Sequence, residues 1–213
     1  MFTDIPELAT IITKKNIYKI IIHLKTSNMA QQLKPLHLVC VDDEMRPNLK
    51  MIEIKNGIAQ ATNGHILVKL QLNTTSTLTT EQIAILNGKY INMNVWKELW
   101  KCDLIELDDE WITCNKDGIV KRFEYAEPNG SFFTFDTIIS EIKEAGEEPQ
   151  RIVCYNPDFI TILAKIFQTE SLFFSFSPNN KGTIVFPDDV SGMFAVLMPK
   201  STDAQNRYLY LTD

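Results

Sequence analysis

Met193-Phe194-Ala195-Val196-Leu197-Met198-Pro199-Lys200 closes the block of sequence whose reading decides the fold. The block opens with an apolar strand, Arg151 to Asn156, and a short amphipathic helix, Pro157 to Phe167. Asn156-Pro157 starts that helix with proline at the first helical position, where its missing N–H costs nothing. Phe159, Ile162, Leu163 and Ile166 then recur at helical spacing and form one apolar stripe. Three strands follow: Leu172 to Phe176, Thr183 to Phe186 after the turn Asn179-Asn180-Lys181-Gly182, and Met193 to Met198.

Working outward, the same order occurs earlier. From Asn87-Gly88 the chain reads strand (Lys89 to Met93), helix (Asn94 to Lys101) and strands Leu104 to Leu107, Trp111 to Asn115 and Ile119 to Tyr125. Asp108-Asp109 and Asp117-Gly118 are turn sequences between those strands. A further copy fits strand Ile17 to Lys25, helix Met29 to Lys34, and strands around 49 to 54, 58 to 62 and 65 to 72, with Asn56-Gly57 as a hairpin turn. A repeated strand-helix-strand-strand-strand unit constrains architecture more than any single motif. The expected organisation is an N-terminal appendage 1–16, with a short helix from Pro6 to Lys15, then unit 1 at 17–80 and unit 2 at 86–150. Unit 3 spans 151–200 and a C-terminal tail 201–213. The polar tract 73–80 reads as a loop, and Phe132-Phe133-Thr134-Phe135 as a final core strand or an exposed partner site. Glu141 to Gln150 reads as a polar connector.

Composition sets the class. The chain has 213 residues with 45% hydrophobic and 23% charged content, ordinary for a globular protein. No stretch approaches the roughly 18 apolar residues that a membrane span needs, and Met1 to Pro6 lacks the pattern of a signal peptide. A cytoplasmic protein without membrane association is the expectation. Cys40, Cys102, Cys114 and Cys154 are widely spaced, with no CxxC pair, and read as small buried hydrophobes in a reducing compartment. No cofactor or metal site is expected, since His23, His37 and His65 form no ligand pair at helical spacing.

Catalytic motifs are equally missing. Asn180-Lys181-Gly182-Thr183 shares only composition with a phosphate loop. Asp42-Asp43-Glu44, Asp108-Asp109-Glu110 and Asp188-Asp189 fall between strands, where aspartate bonds nearby backbone. His65 has no partner in sequence and reads as a turn-adjacent structural residue. Trp96 and Trp100 lie on the apolar side of a helix, which favours core packing over base stacking; Trp111 carries the same two readings. The expectation is a non-enzyme; the competing reading, an enzyme built from the acidic turns and His65, requires one pocket joining them.

The chain resembles bacterial sliding clamps, the beta subunit of the replicative DNA polymerase III. Two stretches carry the likeness: Arg46-Pro47-Asn48-Leu49 through Asn56-Gly57 to Ala61-Thr62-Asn63-Gly64-His65-Ile66-Leu67, and Asn156-Pro157-Asp158-Phe159 through Leu197-Met198-Pro199. Ile91 to Phe135 is similar in order and spacing. The resemblance implies an α+β DNA-clamp (processivity) fold of repeated β-α-β-β-β units, with helices on one face of antiparallel sheets. It also implies a homo-oligomeric ring around duplex DNA, bound without sequence specificity, that tethers a polymerase in replication.

On this sequence the hole-facing residues implied are Lys34 on the first helix, Lys97 and Lys101 on the second, and Lys165 on the third. The competing reading of these lysines is a routine solvated helix face. A net charge of −6 does not oppose the ring, because a topological link needs no tight contact. Clamps bind short peptides of polymerases and clamp loaders in an apolar pocket, and the matching positions are Met198 and Pro199. Lys200 departs from the usual residue, and the tail through Tyr208-Leu209-Tyr210-Leu211 extends past the family's usual end. The chain has room for about three of the family's units, so four copies would close a ring of twelve; a monomeric or dimeric clamp-like remnant is equally permitted. The alternative is a clamp-fold protein-interaction module, of phage or mobile-element origin, that does not encircle DNA.

Overall fold

A computed structural model describes residues 10–14, 17–21, 32–128, 130, 132, 139–140, 153–176, 182–188 and 192–200. Two three-stranded meanders form its centre. One comprises β3 (Met51–Lys55), β4 (Ile58–Thr62) and β5 (Ile66–Gln71); the other comprises β10 (Ser171–Phe176), β11 (Thr183–Pro187) and β12 (Met193–Leu197). Their last strands pair antiparallel, with Val196 opposite Leu67 and Leu197 opposite Ile66. Each meander is then extended by a strand from elsewhere in the chain. β2 (Ile17–Ile21) adds to β10, and β6 (Tyr90–Asn92) adds to β3. With β1 (Thr10–Lys14) on β2, the result is a nine-stranded sheet in the order β1-β2-β10-β11-β12-β5-β4-β3-β6. A separate three-stranded sheet consists of β7 (Leu104–Leu107), β8 (Trp111–Lys116) and β9 (Ile119–Glu124).

Alternation along the strands decides which side is core, because successive side chains in a strand point to opposite faces. Met193, Ala195 and Leu197 join the main core with Ile66, Val68 and Leu70, whereas Val196 and Leu67 belong to a second, smaller cluster. The main core is covered by α3 (Met93–Leu99) through Trp96 and Leu99, and by α4 (Pro157–Phe167) through Leu163, Ala164, Ile166 and Phe167. Between them lies a 3-10 turn, Leu36–Leu38, that buries Leu36. The inner face of the small sheet, with Ile105 and Ile112, closes on the same core. All described helices, strands and pairings make this an α+β fold of antiparallel sheets.

Local chemistry explains most boundaries. Asn56 and Gly57 adopt positive φ (53° and 74°), which a two-residue hairpin of this type requires. The side chain of Asn156 accepts a bond from the backbone N–H of Asp158 at 3.0 Å and caps α4. Asp43 Oδ1 accepts from the N–H groups of Met45 and Arg46, and Asp108 Oδ1 from those of Glu110 and Trp111. Both acidic clusters therefore build turns, and no group of three or more potential metal ligands occurs among the described residues.

Several expectations are corrected. Thr10–Lys14 is a strand within the stretch expected as a helix from Pro6 to Lys15; its sheet partner, not its local pattern, sets its conformation. Val153 to Asn156 is not a strand, although Cys154 O accepts a bond from the N–H of Lys200 at 2.8 Å. Residues 151 and 152 lie outside the described residues. The tract 73–80 is not a plain loop: α1 (Leu72–Thr75) ends in it and α2 (Thr80–Leu86) begins there. Thr79 and Gln82 form a reciprocal capping box at the start of α2, a legible signal that the polar composition obscured. Gln32 to Lys34 are bends and coil, not the end of a helix; residues 29–31 lie outside the described residues. Phe132 is buried in coil, while 133–135, the connector 141–150 and the tail 201–213 also lie outside.

Cysteine pairing is a further correction. Cys102 and Cys114 form a disulfide, with Cα atoms 5.8 Å apart, whereas Cys40 and Cys154 are free. Widely spaced cysteines gave no sequence signal; the β7–β8 hairpin folds Cys114 back to the end of α3.

Leu197 is fully buried at the seam between the two meanders. Leu197→Ala is expected to lower unfolding free energy by about 2–5 kcal/mol, the usual cost of a cavity in a dense core. Urea unfolding checks this.

Candidate functional site

The helical face of the large sheet carries the lysines singled out from the sequence. Lys97 projects from α3 and is exposed, Lys165 is exposed on α4, and Lys101, expected on the second helix, is exposed in the turn after it because α3 ends at Leu99. Their apolar neighbours dictate this outward position: Trp96 and Leu99 face the core from α3, and Ala164 and Ile166 from α4.

Lys34 lies off the helices, in the segment that packs between them. Its carbonyl accepts from Trp96 Nε1 at 2.9 Å, and its Nζ donates to Gln168 Oε1 at 2.7 Å. Gln168 ends α4 in the left-handed conformation (φ 55°), which turns its side chain toward this segment. Lys34 thus ties α3 to the end of α4 and is half-buried, with a structural bond on its ammonium.

His37 was not singled out as a site residue, yet it sits in the same place. Its ring lies 5.4 Å from that of Trp100, and its Nδ1 is buried without a hydrogen-bond partner. Desolvation, then the charges of Lys97 and Lys101, push its pKa down to about 4. The histidine is therefore neutral, and positive charge on this face comes from the lysines. Nothing in the sequence marks His37, because its neighbours are contributed by α3, about sixty residues away.

The opposite face of the sheet carries Met198. Leu67 and Val196, a cross-strand pair, are fully buried there with Ile139. Ile184, Phe194 and Met198 form the partly buried rim of this patch. The N–H of Met198 donates to His65 O at 2.8 Å, and the His65 ring stacks on Phe159 at 5.8 Å. Asn63 Oδ1 accepts from the N–H groups of His65 and Ile66, so this loop is held by its own asparagine. Gly64 has φ +87°, and a Cβ there would meet the Arg46 guanidinium at 3.3 Å. The two halves of the first sequence motif, Arg46-Pro47 and Asn63-Gly64-His65, therefore adjoin in space. Pro199 is half-buried beside Met198.

Of the acidic turns, Asp109 and Glu110 line one cavity, without His65 or the Asp42-Asp43-Glu44 turn. A cavity of about 610 Å³ between the sheets is lined by Lys89, Tyr90, Asp109, Trp111, Glu124 and Tyr125 among others, and His65 is not among its walls. Lys89 Nζ lies 4.8 Å from the Tyr125 ring centre and donates to Asp109 O at 2.7 Å. Burial first, then the charges of Asp108 and Asp109, raise the Tyr125 phenol to about 12. That phenol stays protonated and donates to Asp108 O. No helix among the described residues is long and apolar enough to cross a membrane.

No protein-family model and no curated protein matches the chain. Solved structures do. A sliding clamp (DNA polymerase III subunit beta) from Pseudomonas aeruginosa bound to griselimycin superposes with TM-score 0.54 at 13% identity, covering 91% of this chain and 76% of that one. A clamp from Bartonella birtlesii, also bound to griselimycin, gives 0.51 at 12% identity, with the same coverage. A Bacillus subtilis sliding clamp gives 0.51 at 10% identity, covering 91% of this chain and 75% of that one. The fold is that of the sliding clamps.

A neutral His37 makes stability pH-dependent. Its folded pKa of about 4 lies below the unfolded value of 6.5, so the unfolded chain binds the extra proton between these limits. Its contribution is full above pH 6.5 and declines as pH falls toward 4. In urea titrations across that window, His37→Gln is expected to show a shallower loss of stability than the wild type.

Proposed function

We propose that this chain is a non-enzymatic, clamp-type scaffold of DNA replication that assembles with further copies around duplex DNA. The observation that carries the reading is the position of Lys97, Lys101 and Lys165, all exposed on the helical side of a clamp fold. Duplex DNA attracts such a face through its phosphates, without reading bases. A few lysines suffice, since a closed ring is retained by topology. Lys34 contributes mainly by holding α3 and α4 together.

The second surface supports a partner role. The rim of Met198, Phe194 and Ile184, with Pro199 beside it, offers apolar contact for a short peptide of a polymerase or clamp loader. This surface is also what favours the second reading, a clamp-fold interaction module that binds a partner without encircling DNA.

Retention on circular versus linearised DNA separates the two. A ring stays on a closed circle through a high-salt wash and slides off after linearisation; Lys97→Glu/Lys101→Glu weakens loading without altering the mass in solution. A strict monomer by light scattering at high concentration, with no preference for circles, removes the ring and leaves the interaction module.

Griselimycin, bound to two of the similar clamps, is the ligand with which we test the apolar rim as a binding surface. Calorimetric binding is expected for the wild type and a loss of about tenfold or more for Met198→Asp, as expected when a charge replaces an apolar contact.

A further inference from the structure

The disulfide between Cys102 and Cys114 joins the end of α3 to the middle of β8, and so connects the helical face to the second sheet. Its surroundings are compatible with two states. Cys102 Sγ lies 3.3 Å from the carbonyl of Glu98. A disulfide sulfur has no hydrogen to donate, so this contact becomes a hydrogen bond only when Cys102 is a thiol. The Cys102 thiol of the reduced form thus has an acceptor within reach once the two sulfurs separate.

Charges of both signs lie near the bond. Lys121, opposite Cys114 across the β8–β9 ladder, pairs with Glu98, whose carbonyl faces Cys102 Sγ. Both cysteines are buried, at 5% and 3% exposure, so exchange requires local opening. Cys102 sits in the turn between α3 and β7, flanked by exposed Lys101 and Asp103, where such opening costs least.

We propose that Cys102–Cys114 is a reversible redox staple that fixes the C-terminal end of α3 to the second sheet. In reduction, the thiolate of a low-molecular-weight thiol attacks one sulfur, the protein S–S bond breaks, and a mixed disulfide forms. A second small thiol then displaces the protein sulfur. The products are two protein thiols and one small-molecule disulfide, with two electrons and two protons supplied by the small thiols. The oxidised small disulfide drives the reverse.

Opening the staple releases the turn that carries Lys101 and the Trp100 ring beside His37. Its effect on DNA retention rests on the function proposed above; the staple itself does not.

The test equilibrates the full chain in glutathione buffers of graded reduced-to-oxidised ratio, with cysteine alkylation and mass spectrometry at each point. Cys102 and Cys114 are expected to titrate together within the range, with the fold retained by circular dichroism. Hydrogen exchange at Trp100 to Asp103 should accelerate about tenfold on reduction, and Cys102→Ser/Cys114→Ser should exchange at the reduced rate under every buffer. A pair that stays oxidised throughout, a pair that stays reduced throughout, or exchange unmoved by reduction each overturns the staple. Retention on circular DNA, measured alongside, is expected to differ at least twofold between the two states in the wild type only. Altered exchange with unaltered retention keeps the staple and removes the DNA role of this face.

Discussion

The antiparallel pairing of β12 with β5 is the constraint on which the rest of the structure depends. It joins two meanders that lie more than a hundred residues apart in the chain, last strand to last strand. Because the pairing has a fixed register, it also decides which residues of each strand face the helices. With β5 held by β4, a slip of one residue in β12 would put Val196 on the helical face and turn Leu197 away from it. Once the register holds, β2 and β6 fill equivalent outer positions on the two meanders, and the sheet reaches nine strands without any parallel pairing. Loop-closure entropy opposes such distant pairing, and the burial of the main core offsets it.

The seam separates two kinds of chemistry by placing them on opposite faces. One face is helical and presents Lys97, Lys101 and Lys165 to solvent, over a core that excludes water beneath them. The other presents the apolar rim around Met198. The scaffold proposed above, with DNA on one side and a partner on the other, needs this separation. A protein with a net charge of −6 achieves it by concentrating a few cations locally rather than by an overall positive field. The neutral state of His37 follows from the same packing: desolvation first, then the charges of Lys97 and Lys101, disfavour a further positive charge on its half-buried ring.

Much of the architecture was legible in short-range patterns. The bounds of α4, Pro157–Phe167, and of β7, Leu104–Leu107, agree with the sequence reading, because a proline start, a helical stripe and paired turn sequences are local signals. The failures share one physical cause. Thr10–Lys14 is a strand because β2 offers it an edge, and Val153 to Asn156 is not one, although its apolar residues suit a strand. In both cases tertiary partners outweighed propensity. The capping box of α2 is the exception, a local signal hidden within a tract of threonines.

For the candidate surfaces, local pattern was enough to turn Lys97 away from the apolar side of the second helix and to set Met198 on the face opposite Leu197. Helical and strand periodicity impose both. Tertiary packing alone set Lys34 between the helices with its ammonium on Gln168, the half-buried His37 ring beside Trp100, and Cys102 against Cys114. Each depends on residues distant in the chain, brought together by core packing and sheet pairing. Periodicity shows which way a side chain points within its element, and only the packing of elements shows what it meets there.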